Sequence, residues 1–120
     1  MIEILPESED DTLAMSIRGH VTQEDYDSLE PELGLRAERF DSFDVMAELT
    51  DIESLEPAAI LADFRFLDDY GDNIGRMAVV TSETLWQTLS DLLGKPFGAL
   101  LDVDVERFDD RVEAWKWLRS

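Results

Sequence analysis

The residues whose types and spacing could do chemistry stand together in one polar stretch, Thr50 to Glu56. Thr50 and Ser54 carry hydroxyl groups that a kinase could phosphorylate. They lie between a short apolar segment and an amphipathic one, so they could instead form hydrogen bonds at the entry of a helix. The acidic residues that crowd this predicted loop are Glu48, Asp51, Glu53 and Glu56. An added phosphate would meet repulsion there rather than an arginine cluster. The stretch leaves two alternatives, a phosphorylation switch and a pair of helix-entry residues.

Groups suited to enzymatic catalysis are scarce in this sequence. His20 is the single histidine, and the sequence does not indicate which acidic residue could act as its partner. Cysteine is absent, and so are the G-x-S-x-G, P-loop and G-x-G-x-x-G motifs. The acidic segment from Asp68 to Asn73 lacks the spacing of an EF-hand loop, so a solvated turn is expected. We predict a protein that is not an enzyme and that holds no cofactor or metal.

Two predicted helices and the segment after them carry more apolar residues than one strip of core contact demands. Phe64 and Phe66 are two residues apart, about 200° around a helix, so both cannot face the sheet. The segment GKPFGALL from Gly94 to Leu101 is apolar where a loop is expected. One interpretation is a cavity for an apolar small molecule or lipid under a helical lid. Its predicted lining residues are Phe64, Leu67, Trp86, Leu89 and Phe97. The alternative is a well-filled core, or a dimer contact through Phe66 and Phe97.

The charge excludes two classes of partner. Asp and Glu total 29 against 10 Lys and Arg, which gives a formal net charge of −19 over 120 residues. Such a surface repels phosphate backbones and anionic lipid headgroups. We therefore expect neither nucleic-acid binding nor electrostatic anchoring to a membrane.

The same charge raises a hypothesis of adaptation to high salt, because aspartate is abundant and only two residues are lysine. At about 1 M salt, like charges are screened within roughly 3 Å. The hypothesis predicts a melting temperature that rises steeply with added KCl. A flat response between low and molar salt would leave a protein that is simply acidic.

Length and composition indicate one globular domain over residues 1–120, with an ordinary apolar fraction of 44%. No run approaches the ~18 apolar residues that span a membrane. The first residues, MIEILPESEDD, lack the basic flank and apolar core of a signal peptide. We expect a cytoplasmic protein.

Hydrophobic periodicity predicts elements in the order β-β-α-β-α-β-α-β-α. Strands are predicted at 2–5, 12–19, 42–49, 76–81 and 100–108, the first two as a hairpin that Gly19 and His20 end. Helices are predicted after Thr22, from Pro57, after Ser82 and after Asp109 or Asp110. Pro31 and Gly34 predict a kink in the first helix, or two shorter helices in its place. In the last helix, Val112, Trp115 and Leu118 are predicted to face inward.

This order is typical of a single α/β domain. It predicts a mixed four- to five-stranded sheet with about four helices packed on it and with right-handed crossovers.

Four segments in succession resemble the SpoIIAA-like family of STAS-related bacterial proteins. They are MIEIL, GHVTQEDYDSLEPEL, RMAVVTSETLWQTL and the closing strand with RFDDRVEAWKWL. The resemblance covers nearly the whole chain and rests on pattern and spacing. It implies a STAS/SpoIIAA-like fold, structurally similar to anti-sigma-factor antagonists and to CRAL-TRIO lipid-transfer domains. In those antagonists a serine after the third strand is phosphorylated in an Asp-Ser-Ser/Thr-Gly setting. Residues 50–57, TDIESLEP, depart from that motif, because no glycine follows Ser54 and no second hydroxyl adjoins it.

Three functional hypotheses are compatible with these residues. The leading one is a non-enzymatic carrier of an apolar small molecule or lipid. The alternative is a STAS-type regulatory module that binds a protein partner under control of Ser54 or Thr50. The third is a structural homodimer without a ligand.

Overall fold

The computed structural model of the chain describes residues 1–6, 8, 11–55, 73–93 and 104–120. In chain order the elements are β1 (Ile2–Ile4), β2 (Thr12–Val21), α1 (Gln23–Arg39), β3 (Phe43–Leu55), β4 (Ile74–Val80), α2 (Glu83–Leu93), β5 (Asp104–Phe108) and α3 (Arg111–Leu118). The helix predicted from Pro57 lies outside these residues.

The strands form one mixed sheet in the order β1-β2-β3-β4-β5. β1 is antiparallel to β2, with Ile2 opposite Ile17, and the remaining pairs are parallel. The predicted hairpin, the α/β class and the mixed five-stranded sheet are therefore confirmed. Of about four predicted helices, three lie in the described part of the chain.

Each face of the sheet has its own buried cluster, because successive residues of a strand point to opposite faces. On one face α1 contributes Tyr26, Leu29 and Leu33, which pack with residues of β2 and β3 such as Leu13 and Phe43. The cluster on the other face holds Ala14, Met46, Ala78 and, from α3, Ala114 and Leu118. The central strands are thus covered on both sides.

The first helix begins as predicted and is one continuous element. Thr22 is its N-cap, and Thr22 and Asp25 form a reciprocal capping box. The helix continues through Pro31 to Arg39, so the predicted alternative of two shorter helices is wrong, and the kink stays a prediction. Pro31 is exposed, so the carbonyl it leaves without a helical partner can face water. Leu29 and Leu33, one on each side of Pro31, hold the helix on the sheet.

β2 and β3 run further than the sequence predicts. Gly19 and His20 do not end β2, because Gly19 adopts the left-handed conformation (φ 66°) inside the strand. Between Ile17 and Val21, four steps along β2 match six along β3, from Leu49 to Leu55. β3 therefore holds two extra residues as bulges, and strand pairing continues past the predicted end.

The orientation of α3 agrees with the prediction at Leu118, which is buried, and at Trp115, which packs against the buried cluster, but not at Val112. Asp110 is the N-cap, as predicted, and its carboxylate accepts the N–H of Glu113 at 2.9 Å. Val112, however, is 62% exposed, while Ala114 is fully buried. An alanine lets the helix approach the sheet closely, so the inward face is centred on Ala114 and Leu118. A pattern of large apolar residues does not reveal that choice.

A bulge at the start of β4 places Gly75 next to the partly buried carboxylate of Asp44. Phe43 pairs with Ile74 and Val45 with Met77, so Gly75 and Arg76 together face Asp44. An Oδ1 of Asp44 accepts the N–H of Arg76 at 3.0 Å. A Cβ on Gly75 would lie 2.9 Å from that oxygen. A side chain at position 75 would therefore have to displace the Ser42 hydroxyl and the Asp44 carboxylate.

Replacement of Asp44 by asparagine should stabilise the protein at neutral pH. Burial raises the pKa of Asp44, and the N–H and charge of Arg76 offset this only in part. Because the folded-state pKa lies above the ordinary value of 3.8, the ionised carboxylate destabilises the native state at higher pH. The advantage of Asp44→Asn in urea unfolding should shrink as the pH falls through the raised pKa.

Asp25→Asn is the control, because the pKa of Asp25 is shifted in the opposite direction and the substitution should destabilise the protein at neutral pH. Partial burial raises the pKa of Asp25, but hydrogen bonds from the Thr22 N–H, the terminal amine and the Thr22 hydroxyl outweigh it, so the net shift is downward. This carboxylate stabilises the fold above its ordinary pKa, and that contribution is lost as the pH falls through the lowered value. If Asp44→Asn instead destabilised the protein at neutral pH, the raised pKa assigned to Asp44 would be contradicted.

Candidate functional site

Exposed polar residues of β3, and others that follow β4 and β5, lie at one edge of the sheet, past the last residue pairs that join these three parallel strands. Glu48 is the last β3 residue paired with β4, and it faces Val80, which in turn faces Phe108 of β5. The exposed residues just past this line are Thr50, Asp51, Glu53, Ser82, Glu83, Asp109 and Asp110. We call this set the carboxyl-end rim. In open α/β folds, ligands commonly bind outside the carboxyl ends of the strands.

The backbone of the rim is held in place by local interactions. Asp51 is left-handed (φ 49°) in a bulge of β3, a conformation that aspartate tolerates better than most residues. The Oγ of Ser82 accepts the N–H of Leu85 at 3.1 Å and so caps α2, as predicted. Asp110 caps α3 in the same way. The rim is therefore largely pre-organised.

Basic side chains near the rim are engaged by acids. His20 Nε2 lies 3.1 Å from Glu53 Oε2, and Arg107 Nη1 lies 2.7 Å from Asp109 Oδ1. Arg107 also donates to the Thr81 carbonyl at 3.0 Å, which ties β5 to the end of β4.

A further pair lies just inside the rim. Arg111 of α3 binds Glu48 of β3 with two hydrogen bonds, Nε to Oε2 at 2.5 Å and Nη2 to Oε1 at 3.0 Å. The fork-to-fork geometry fixes the start of α3 against β3.

The charge of the rim suits recognition of a cationic surface. Its acids are Asp51, Glu53, Glu83, Asp109 and Asp110, of which Glu53 already pairs with His20 and Asp109 with Arg107. Among the described residues, no group of three or more His, Cys, Asp or Glu side chains could hold a metal ion. The hydroxyls of Thr50 and Ser82 stand exposed between the acids.

The structure corrects the helix-entry interpretation of Thr50 and Ser54. Both lie inside β3, which continues to Leu55, and Ser54 pairs with His20 across the strands. The acids between them do not break the strand, because the bulges turn side chains to solvent while the ladder persists. Thr50 is exposed and remains open to modification.

The predicted apolar cavity is described only in part. Trp86 is half-buried on α2, and Leu89 lies one turn further along the same helix. Phe64, Leu67 and Phe97 lie outside the described residues, so the cavity stays a prediction.

Sequence reasoning treated Ser82 and Asp110 only as caps and did not group them with Thr50. A signal for the grouping exists in the sequence. Polar residues stand directly after each strand in a β-α alternation, and parallel strands bring those positions to one edge. The Glu48–Arg111 pair has no such signal, because its members are 63 positions apart.

Comparisons with known proteins identify the fold and the family. An uncharacterized protein of the DUF3478 family from Shewanella loihica PV-4, with a SpoIIAA-like fold, is 23% identical, with a TM-score of 0.76 over 98% of this chain and 93% of that one. An anti-sigma factor antagonist from Mycobacterium paratuberculosis is 17% identical, with a TM-score of 0.59 over 100% of this chain and 96% of that one. Neither neighbour supports the resemblance to CRAL-TRIO domains.

No curated protein sequence matches the chain. None of the described helices combines the length and the hydropathy needed to cross a membrane. The model of the SpoIIAA-like family matches residues 12–119, nearly the whole chain. The chain belongs to the SpoIIAA-like family.

Proposed function

We propose that this protein is a non-enzymatic regulatory module of the STAS type that binds a protein partner through the carboxyl-end rim. The observation that carries the proposal is the convergence of exposed acids and hydroxyls at one edge of the sheet, from the last part of β3 and from the residues after β4 and β5. The likeness in fold to an anti-sigma factor antagonist supports a protein partner over an apolar ligand.

The partner should present a basic surface. A rim of five acids on a chain of net charge −19 attracts cationic surfaces from a distance and speeds their association. Because the caps and the bulge already order Asp51, Ser82 and Asp110, little further ordering is needed on binding.

Thr50 and Ser54 are the candidate switch positions. Phosphorylation adds about −1.5 to −2 charges and a bulky group. At Thr50, which is exposed inside the rim, that change would fall within the contact itself. We expect Thr50→Glu to change partner affinity and Thr50→Val to preserve it.

Quantitative affinity purification with matched variants tests the proposal. The rim variant combines Asp51→Asn, which keeps a residue that tolerates the left-handed conformation, with Glu83→Lys. The control combines Asp27→Asn and Glu38→Lys, which make the same charge change at exposed positions of α1. A partner retained by the wild type and the control should lose at least about tenfold of its affinity for the rim variant.

Equal retention by the rim variant would overturn the assignment of the rim. Native mass spectrometry beside a denatured control addresses the carrier hypothesis in the same preparations. A bound small molecule without any rim-dependent protein partner would favour the carrier.

A further inference from the structure

The acids of the rim come from strands that are not neighbours in the sheet. Asp51 and Glu53 belong to β3, whereas Asp109 and Asp110 follow β5 and lead into α3. β4 lies between those two strands, so no ladder of backbone hydrogen bonds joins them directly. The separation between the two groups of acids therefore depends on how the start of α3 is held against β3.

One ion pair makes that connection. Glu48 lies on β3 two residues before Thr50, and Arg111 is the first residue of α3, next to its N-cap Asp110. The two hydrogen bonds of the pair join positions that are 63 residues apart in the chain. One turn further along α3, Ala114 packs in the buried cluster of the same face of the sheet. The pair thus ties the beginning of α3 to β3 across β4.

The burial of the pair makes its geometry costly to lose. The Glu48 side chain is 16% exposed and the Arg111 side chain 38%. A carboxylate with so little access to water needs a partner, because an unpaired charge there is left without compensating hydration. By comparison, Arg18 and Glu3 form an ion pair whose side chains are 51% and 53% exposed. The two-pronged guanidinium contact also fixes the direction from which Arg111 approaches, which a single ammonium group does not do.

We propose that Glu48 and Arg111 are positioning residues of the rim. Their pair holds the acids at the start of α3 at a fixed separation from those of β3, and the partner binds the rim with that separation in place. The inference rests on the function proposed for the rim. Without the pair, binding must itself restrain the start of α3, and the affinity falls by the cost of that ordering.

Substitutions at Arg111 separate positioning from charge. Arg111→Gln removes a cation beside an acidic surface, so charge alone predicts tighter binding of a basic partner. Arg111→Lys keeps the charge but loses the two-pronged contact, so charge alone predicts no change. Positioning predicts weaker binding for both variants, by at least about fivefold.

Quantitative affinity purification measures this loss on the protein that the wild type retains and that the variant with Asp51→Asn and Glu83→Lys releases. Arg18→Gln and Arg18→Lys are the matched controls, because they make the same two changes at an exposed ion pair. Neither control should weaken binding. Circular dichroism checks that every variant is folded. Arg111 variants that bind like the wild type would overturn the proposal.

Hydrogen exchange tests the positioning without any partner. The N–H of Glu113 donates to Asp110 Oδ1 at 2.9 Å, and the N–H of Ala114 donates to the Asp110 carbonyl at 3.3 Å. Both amides belong to the first turn of α3 and should exchange at least about fivefold faster in Arg111→Lys, through local opening. The amide of Met46, which is fully buried in β3, should not change. Equal acceleration at all three amides would indicate a general loss of stability and would overturn the positioning role.

The two measurements distinguish the two proposals. If the variant with Asp51→Asn and Glu83→Lys keeps the partner, the function proposed for the rim fails, and hydrogen exchange still decides whether Arg111 positions α3. Unchanged exchange in Arg111→Lys overturns the positioning role whatever the partner does. Faster local exchange together with weaker binding supports the proposal, and faster local exchange with unchanged affinity overturns it.

Discussion

Replacement of Phe43 by alanine should lower the free energy of unfolding by about 3–5 kcal/mol. Phe43 begins β3, is 1% exposed and belongs to the cluster that packs under α1. Truncation removes the buried ring and leaves a cavity between the sheet and the helix, which the surrounding β2 and β3 backbone can fill only in part. Urea unfolding at fixed pH and salt measures the loss.

Phe40→Ala is the matched control, because it removes the same side chain three residues earlier. Phe40 is the C-cap of α1, is half-buried, and has Arg39 over its ring at 5.7 Å. We expect a loss of about 1 kcal/mol there, since solvent already reaches the ring. Equal losses at the two positions would show that Phe43 is not a core residue.

Replacement of Ala114 by leucine should cost about 2–3 kcal/mol and displace α3. Ala114, Ala14 and Ala78 are all 0% exposed in one cluster, so the helix approaches the sheet through small side chains. Added methyl groups have no space there and must push the helix outward. Urea unfolding measures the cost.

Val112→Leu separates packing from helix propensity. It adds a methylene two residues earlier on the same helix, but at an exposed position. Stability should change by less than about 0.5 kcal/mol. A large loss at Val112 together with a small one at Ala114 would mean that α3 packs by the face that periodicity predicts.

The sequence alone determined the elements and their order, because those depend on local physics. The caps Thr22 and Ser82 appear in the structure as predicted, and Asp110 is one of the two aspartates predicted to cap the last helix. Capping depends on one side chain and the N–H groups a few residues away, so it can be read from a short stretch. From those elements the mixed α/β sheet follows.

The candidate site was only half accessible from the sequence. Thr50 and its acidic neighbours were identified, but their local context was misjudged as a loop. Whether Gly19 ends β2 depends on the partner strand. β3 has two extra residues in bulges opposite Gly19, and hydrogen-bonded pairing between the strands continues beyond them. Grouping Thr50 with Ser82 and Asp110 likewise needs the strand order.

Tertiary packing decided what local pattern leaves open. α1 stays a single helix through Pro31 because Leu29 and Leu33 pack on the sheet at both sides of it. α3 turns Val112 outward because close approach to Ala14 and Ala78 favours a small residue at the contact. Composition and periodicity rank side chains by size and polarity, but the distance between a helix and its sheet determines which of them face inward.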